Sequence, residues 1–202
     1  FMEEWLALYK SGSGERGIFN RQASKTVAGR NKRRDDNFEF GTNPCSEIIL
    51  RPFQFCNLSE VVVRESDKEE DLLDKVEAAT ILGTMQSTLT SFKYLRRQWK
   101  DTTEKERLLG VSLTGIMDHK ILSGDVFNKA ILPDLLKRMK QKAVEVNKVW
   151  AKRFGINQST AITCVKPSGT VSQLVNAASG IHARHNDHYI RRVRGDKKDP
   201  LT

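Results

Sequence analysis

Cysteine is scarce in this chain: Cys45, Cys56 and Cys164 are the only three among 202 residues. An odd, sparse set excludes the disulfide scaffold of a small secreted domain and fits a reducing, cytoplasmic compartment. No Cys-x-x-Cys pair occurs, and two thiols eleven residues apart make poor zinc spacing, so no metal is expected. No run approaches the ~18 apolar residues of a membrane helix. The opening Phe1-Met2-Glu3-Glu4-Trp5 lacks the basic start and apolar core of a signal peptide. It reads instead as the middle of an amphipathic helix. The end, Asp199-Pro200-Leu201-Thr202, stops without a closing element. Residues 1–202 are therefore expected to be an internal part of a longer protein. Internal repeats and low-complexity tracts are absent.

What the chain does have is positive charge, +9 from 34 basic and 25 acidic residues. Such a balance attracts polyanions, nucleotides or nucleic acid. Two clusters carry much of it: Arg30 to Arg34, and Arg184 to Lys198 with Arg191, Arg192, Arg194 and Lys197. Each reads either as a solvated face or as a neighbour of phosphate. A nucleic-acid-binding module would interleave aromatics with the basic residues for stacking. Only Tyr189 does so, which sets that alternative low and leaves no specific nucleic-acid partner expected.

Hydrophobic spacing predicts the elements. Residues 3–10 read as a helix end, broken by Ser11-Gly12-Ser13-Gly14. Residues 25–37 read as an exposed basic loop, and Val61-Val62-Val63 as a strand. Residues 69–98 read as one helix, with Leu72, Leu73, Val76, Ala79 and Leu82 on a face that Leu89, Phe92 and Leu95 extend. Leu108 to Ile116, apolar and punctuated by glycine, suits a buried strand or a turn where backbones approach closely. Pro133 opens a helix that ends near Gly155, a good C′ residue. Ala161 to Val165 is a short strand, Lys166 to Thr170 a turn, and Val171 to Ala178 a helix start. Helices alternating with short strands argue an α/β fold with parallel strands.

The richest segment is Asn43-Pro44-Cys45-Ser46-Glu47, followed by Cys56-Asn57-Leu58. In an extended segment residues i and i+2 share a face, so Asn43, Cys45 and Glu47 are expected side by side. A thiol can serve as nucleophile, redox partner or hydrogen-atom carrier, and a carboxylate beside it can take a proton from the same substrate. A thiol-disulfide enzyme using Cys45 and Cys56 is disfavoured by their wide spacing and by Pro44. A second segment, Lys166-Pro167-Ser168-Gly169-Thr170-Val171-Ser172, is a strand-to-helix turn of the kind that presents N–H groups and hydroxyls to an anion. A third, Gly180 to Arg194, holds His182, His185 and His188 at intervals of three, which tempts a metal reading; packing among solvated arginines is preferred.

Together these segments resemble the ribonucleotide reductases, in particular the adenosylcobalamin-dependent class II enzymes. The resemblance is strongest at residues 15–64 and 161–195. It implies a part of a ten-stranded α/β barrel with a finger loop through its centre. It implies Cys45 as the thiyl cysteine, Glu47 as general base, Asn43 as the group holding the sugar hydroxyls, and Cys56 as one member of the reducing pair. In the family the other member lies well upstream of the finger loop, and no cysteine precedes Cys45 here. The turn of Pro167, Ser168, Gly169, Thr170 and Ser172 would hold the substrate's phosphates. Adenosylcobalamin is the implied cofactor, a ribonucleotide the substrate, thioredoxin or a similar dithiol the reductant, and a dNTP or ATP the effector of the complete protein. Glu47 and Cys56 argue against class III. The short cysteine spacing and the Tyr-Ile-Arg-Arg-Val-Arg segment favour the monomeric, triphosphate-using branch of class II over class I. The 202-residue piece alone is expected to be inactive or poorly soluble, because half a barrel exposes strand edges and apolar faces.

Overall fold

The computed structural model describes residues 1–13, 17–125, 128–190, 192 and 194–200. Helix α1 (Met2–Ser11) ends at Gly12, whose φ of 58° lies in the left-handed region. Helix α2 (Arg21–Gly29) occupies the first part of the segment expected to be a loop. Asn20 explains the difference: its Oδ1 accepts the Ala23 N–H at 2.9 Å, an N-cap that starts the helix despite its polar composition. A two-residue strand β1 (Gly41–Thr42) pairs antiparallel with β2 (Ile49–Leu50) and makes a hairpin.

The centre of the fold is a β-α-β pattern. Strand β3 (Asn57–Val62) pairs in parallel with β4 (Leu109–Thr114), in the register Asn57↔Leu109 to Val62↔Thr114. A third segment joins through a parallel bridge, Val111↔Thr163, with Leu109 N–H donating to Ala161 O and Val111 N–H to Ile162 O. Between β3 and β4 run α3 (Glu69–Gln86) and α4 (Arg97–Glu106), and after β4 runs α5 (Leu132–Phe154). This is the α/β arrangement with parallel strands that the sequence predicts. Among the described residues the parallel sheet has two strands and one bridged neighbour.

Local chemistry sets the helix ends. Asp71 accepts the Lys68 N–H at 2.8 Å, and three acidic residues in the first turn of α3 suit the helix dipole. The helix stops at Gln86 instead of running to 98. Ser87 and Thr88 turn their hydroxyls onto the carbonyls of Thr84 and Met85, competing with further helical bonds. Leu89 is consequently 73% exposed and does not extend the apolar face, while Phe92 packs on Phe55. Helix α5 has Pro133 in its first turn and Gly155 at φ 65° just past its end. Helix α6 is a single turn (Val171–Leu174), shorter than the run predicted.

The core lies between the sheet and the pair α3/α5. Val61, Leu109 and Val111 face Leu72, Val76 and Ala79 of α3, and Leu135, Met139 and Ala143 of α5. Burying each large side chain contributes about 1.5–3 kcal/mol. Asn147 pins the helices to the third segment: Nδ2 donates to Thr84 Oγ1 and Ser159 Oγ, and Oδ1 accepts the Ser159 N–H. Among the described residues no helix is long and apolar enough to cross a membrane.

Candidate active site

Strand alternation separates core from chemistry. On the helix side stand Val61, Leu109 and Val111. On the other side, residues of opposite parity collect: Cys56 just before β3, Leu58 and Glu60 from β3, Gly110, Ser112 and Thr114 from β4, and Cys164, Lys166 and Ser168 from the third segment. A Cβ placed on Gly110 would lie 3.0 Å from Cys164 Sγ and 3.3 Å from Cys56 Sγ, so this glycine leaves the space that both thiols fill. Lys166 N–H donates to Ser112 Oγ at 2.8 Å. Ser168 Oγ bridges Glu60 Oε2 at 2.8 Å and Thr114 Oγ1 at 3.0 Å.

The β1–β2 hairpin lays its loop over this face. The loop is a turn and not the extended segment expected. Ser46 N–H donates to Asn43 O at 3.0 Å, Ile48 N–H to Asn43 Oδ1 at 3.0 Å, and Ser46 sits at φ 63°. The six residues between two-residue strands have to reverse direction, which an extended run cannot do. Asn43 and Glu47 meet all the same, Asn43 Nδ2 donating to Glu47 Oε1 at 2.6 Å. Lys166 Nζ donates to that same oxygen at 2.8 Å and lies 3.7 Å from Cys45 Sγ. The Glu47 side chain is 5% exposed, and its second oxygen, Oε2, is buried with no hydrogen-bond partner. Burial pushes the Glu47 carboxyl up, but hydrogen bonds from Lys166, its own backbone N–H and Asn43 outweigh it and hold the pKa below the usual value.

The three thiols differ. Cys45 is exposed at the loop. Cys56 is pushed up to about 12 by burial, and further by the neighbouring Cys164 and Glu47. Cys164 is pushed up to about 12 by burial and by Glu47. The thiolate is the reactive form, so iodoacetamide at pH 8 is expected to label Cys45 roughly 100-fold faster than the other two. Peptide mapping by mass spectrometry checks this; equal labelling would contradict the burial of Cys56 and Cys164. Cys56 and Glu47 border one cavity of about 220 Å³, which Arg30, Arg33, Arg34 and Lys140 also line.

The 167–172 turn adjoins through Lys166. Ser168, at φ 55°, and Ser172 are buried, and Ser172 Oγ donates to Gly169 O at 3.2 Å. Gly169 and Thr170 are exposed. Pro167 O accepts the Gly180 N–H at 3.0 Å and ties the turn to the next segment. That segment's Arg184 pairs with Asp118, and a cavity of about 540 Å³ lies between Gly169, Ser179, His182 and His185. Arg191 lies outside the described residues.

Two residues that the sequence reading gave no role enter the site, Lys166 and Glu60. The signal for both is period-two spacing: Glu60 lies four residues after Cys56, and Lys166 two after Cys164. Arg34, read as part of a solvated or phosphate-facing cluster, is instead buried against Glu106 at 2.8 Å. It supports the floor of the hairpin by donating to Ile49 O at 2.8 Å.

Comparison with known proteins shows what the chain is similar to. Over 94% of its length the chain is 30% identical to an adenosylcobalamin-dependent ribonucleoside-triphosphate reductase of Lactobacillus acidophilus, of which it spans 28%. It is 29% identical, again over 94%, to the protein of the same description from Lactobacillus leichmannii, spanning 29% of it. A crystal structure of a B12-dependent (class II) ribonucleotide reductase aligns with a TM-score of 0.56 and 26% identity, covering 70% of this chain and 22% of that one. No protein-family model matches. The chain spans under a third of the length of the curated relatives it matches.

Proposed function

We infer that this chain, a relative of the adenosylcobalamin-dependent ribonucleotide reductases, carries the catalytic hairpin and substrate-phosphate turn of an enzyme reducing ribonucleoside triphosphates to 2′-deoxyribonucleotides. The observation that carries the inference is the hairpin loop. It sets an exposed thiol beside a carboxylate with one buried, unpartnered oxygen, and bonds that carboxylate to a carboxamide.

In this reading the Cys45 thiyl removes the 3′-hydrogen atom of the ribose. Glu47 Oε2, the acceptor left open, takes the 3′-hydroxyl proton. Asn43 steadies Glu47 and meets the sugar hydroxyls. Water leaves C2′, and two electrons come from Cys56 and a partner thiol that in the family lies upstream of this loop. Cys164 is a poor substitute for that partner. It sits across β4 from Cys56, so two strand spacings of about 4.8 Å separate them, while a disulfide holds Cα atoms at about 4.4–6.8 Å. Gly169 and Thr170 meet the phosphates, with Pro167, Ser168 and Ser172 shaping the turn from within.

The residues present fit the implied cofactor, because the thiol that would become a radical is the exposed one of the three. Adenosylcobalamin, when bound, supplies homolysis of its carbon–cobalt bond to generate that thiyl. The residues proposed to face it here are those of the hairpin tip. Residues 1–202 are taken as an internal part of a ten-stranded barrel in a cytoplasmic enzyme, re-reduced by thioredoxin or a similar dithiol and tuned by a dNTP or ATP.

The test uses the complete protein without air, a ribonucleoside triphosphate, a dithiol and adenosylcobalamin. Deoxynucleotide that requires the cobalamin and disappears in Cys45→Ala is the expected result. Product formed only with a separate radical-generating subunit would move the chain to class I. No product in either case would overturn the reading.

A further inference from the structure

Among the described residues, Lys166 is the one cation that touches both reactive groups of the hairpin. Its Nζ stands 2.8 Å from Glu47 Oε1 and 3.7 Å from Cys45 Sγ, and its side chain is 24% exposed. Its backbone is fixed separately, by the N–H bond to Ser112 Oγ on β4. The next residue, Pro167, begins the turn assigned above to the phosphates, and Ser168 is anchored to Glu60 and Thr114. A single residue thus joins the rigid sheet, the phosphate turn and the hairpin loop. The loop otherwise leans on its own internal bonds and on two-residue strands.

We propose that Lys166 is a positioning residue of the reductase site: it clamps the Cys45–Glu47 loop onto the sheet and orients Glu47 so that Oε2 faces the substrate. The proposal rests on the function inferred above. The chemistry follows from donor count. Glu47 Oε1 accepts from Asn43 and Lys166 together, which fixes the carboxylate plane and leaves Oε2 as the free acceptor. An ammonium also stabilises a carboxylate against protonation. Other titratable groups around Glu47 are Cys45 on its own loop, Cys56 just before β3, Cys164 from the third segment, and Arg30, Arg33, Arg34 and Lys140 lining the shared cavity. None of these makes a hydrogen bond to Glu47 among the described residues, which leaves Lys166 as the cation in direct contact.

Lys166→Met and Lys166→Arg in the complete protein separate this role from simple support. For Lys166→Met, kcat is expected to fall at least about 10-fold with KM for the nucleotide within about threefold. The acid limb of the kcat–pH profile is expected to move to higher pH, because the group that held Glu47 ionised is gone. Lys166→Arg restores much of kcat and returns the limb toward its original position. An unmoved acid limb would overturn the proposal, as would Lys166→Arg matching Lys166→Met in both kcat and the position of the limb. Failure of the reading beneath it shows differently, as turnover that survives Cys45→Ala.

Discussion

Glu47→Gln is expected to cut ribonucleotide turnover in the complete protein by about 10²–10⁴-fold, the usual contribution of a positioned general base. Glutamine keeps the shape and can still accept from Lys166 and Asn43, but it cannot take a proton. The wild-type carboxyl has a lowered pKa, so it is ionised throughout the neutral range and loses its acceptor role only as pH falls through that depressed value. The acid limb of the wild-type profile should therefore lie below the ordinary glutamate value of 4.5. Glu47→Gln should show low, pH-independent turnover across the same range. A loss of less than about threefold would remove Glu47 from the chemistry and leave it as the loop's internal strut.

The second large effect is on stability. Glu106, at the end of α4, is 2% exposed and receives Arg34 Nη2 at 2.8 Å, Arg51 Nη2 at 2.7 Å and Gln54 Nε2 at 2.6 Å. The two guanidiniums also lie over the rings of Phe40 and Phe38. Glu106→Ala strands two buried cations with no anion between them, and breaking such a pair costs about 3–5 kcal/mol. Urea unfolding of the complete protein with this variant should show the midpoint drop without a change in slope. Arg34→Met should cost less, since Arg51 and Gln54 still satisfy the carboxylate. A loss under about 1 kcal/mol for Glu106→Ala would mean that water reaches these charges.

Sequence reading reaches different depths in different places. Helix α5 is legible because its apolar spacing, Pro133 and Gly155 agree, and the core residues follow from that spacing. The end of β3, Val61 and Val62, is legible from its β-branched run and β4 from its apolar run, while Asn57 to Glu60 carry no such signal. The end of α3 is not, because the Ser87 and Thr88 hydroxyls capture carbonyls locally while the apolar rhythm continues past them. Helix α2 is hidden by its composition and revealed only by the Asn20 cap. At the site, Asn43, Cys45 and Glu47 stand out by residue type, but Lys166 reaches them across 119 residues of chain and the Arg34–Glu106 pair spans 72. Contacts of that separation leave no local pattern. Neither basic cluster can be told from a solvated face by its charge alone, and Arg34 shows why: Asn31, Lys32 and Asp35 are exposed while it is buried.

The alternation along β3 and the third segment has a consequence for how this sequence tolerates change in length. Cys56 and Glu60 belong to one side of β3, and Val61 to the other. One residue inserted between Cys56 and Glu60 would exchange those sides downstream of the insertion, sending a carboxylate toward Leu72 and a valine toward Ser168. Two residues inserted there would keep every side chain on its own side and only slide the strand. Reading frames of two, rather than the identity of any single position, are what keep the oily half and the reactive half of this sheet apart.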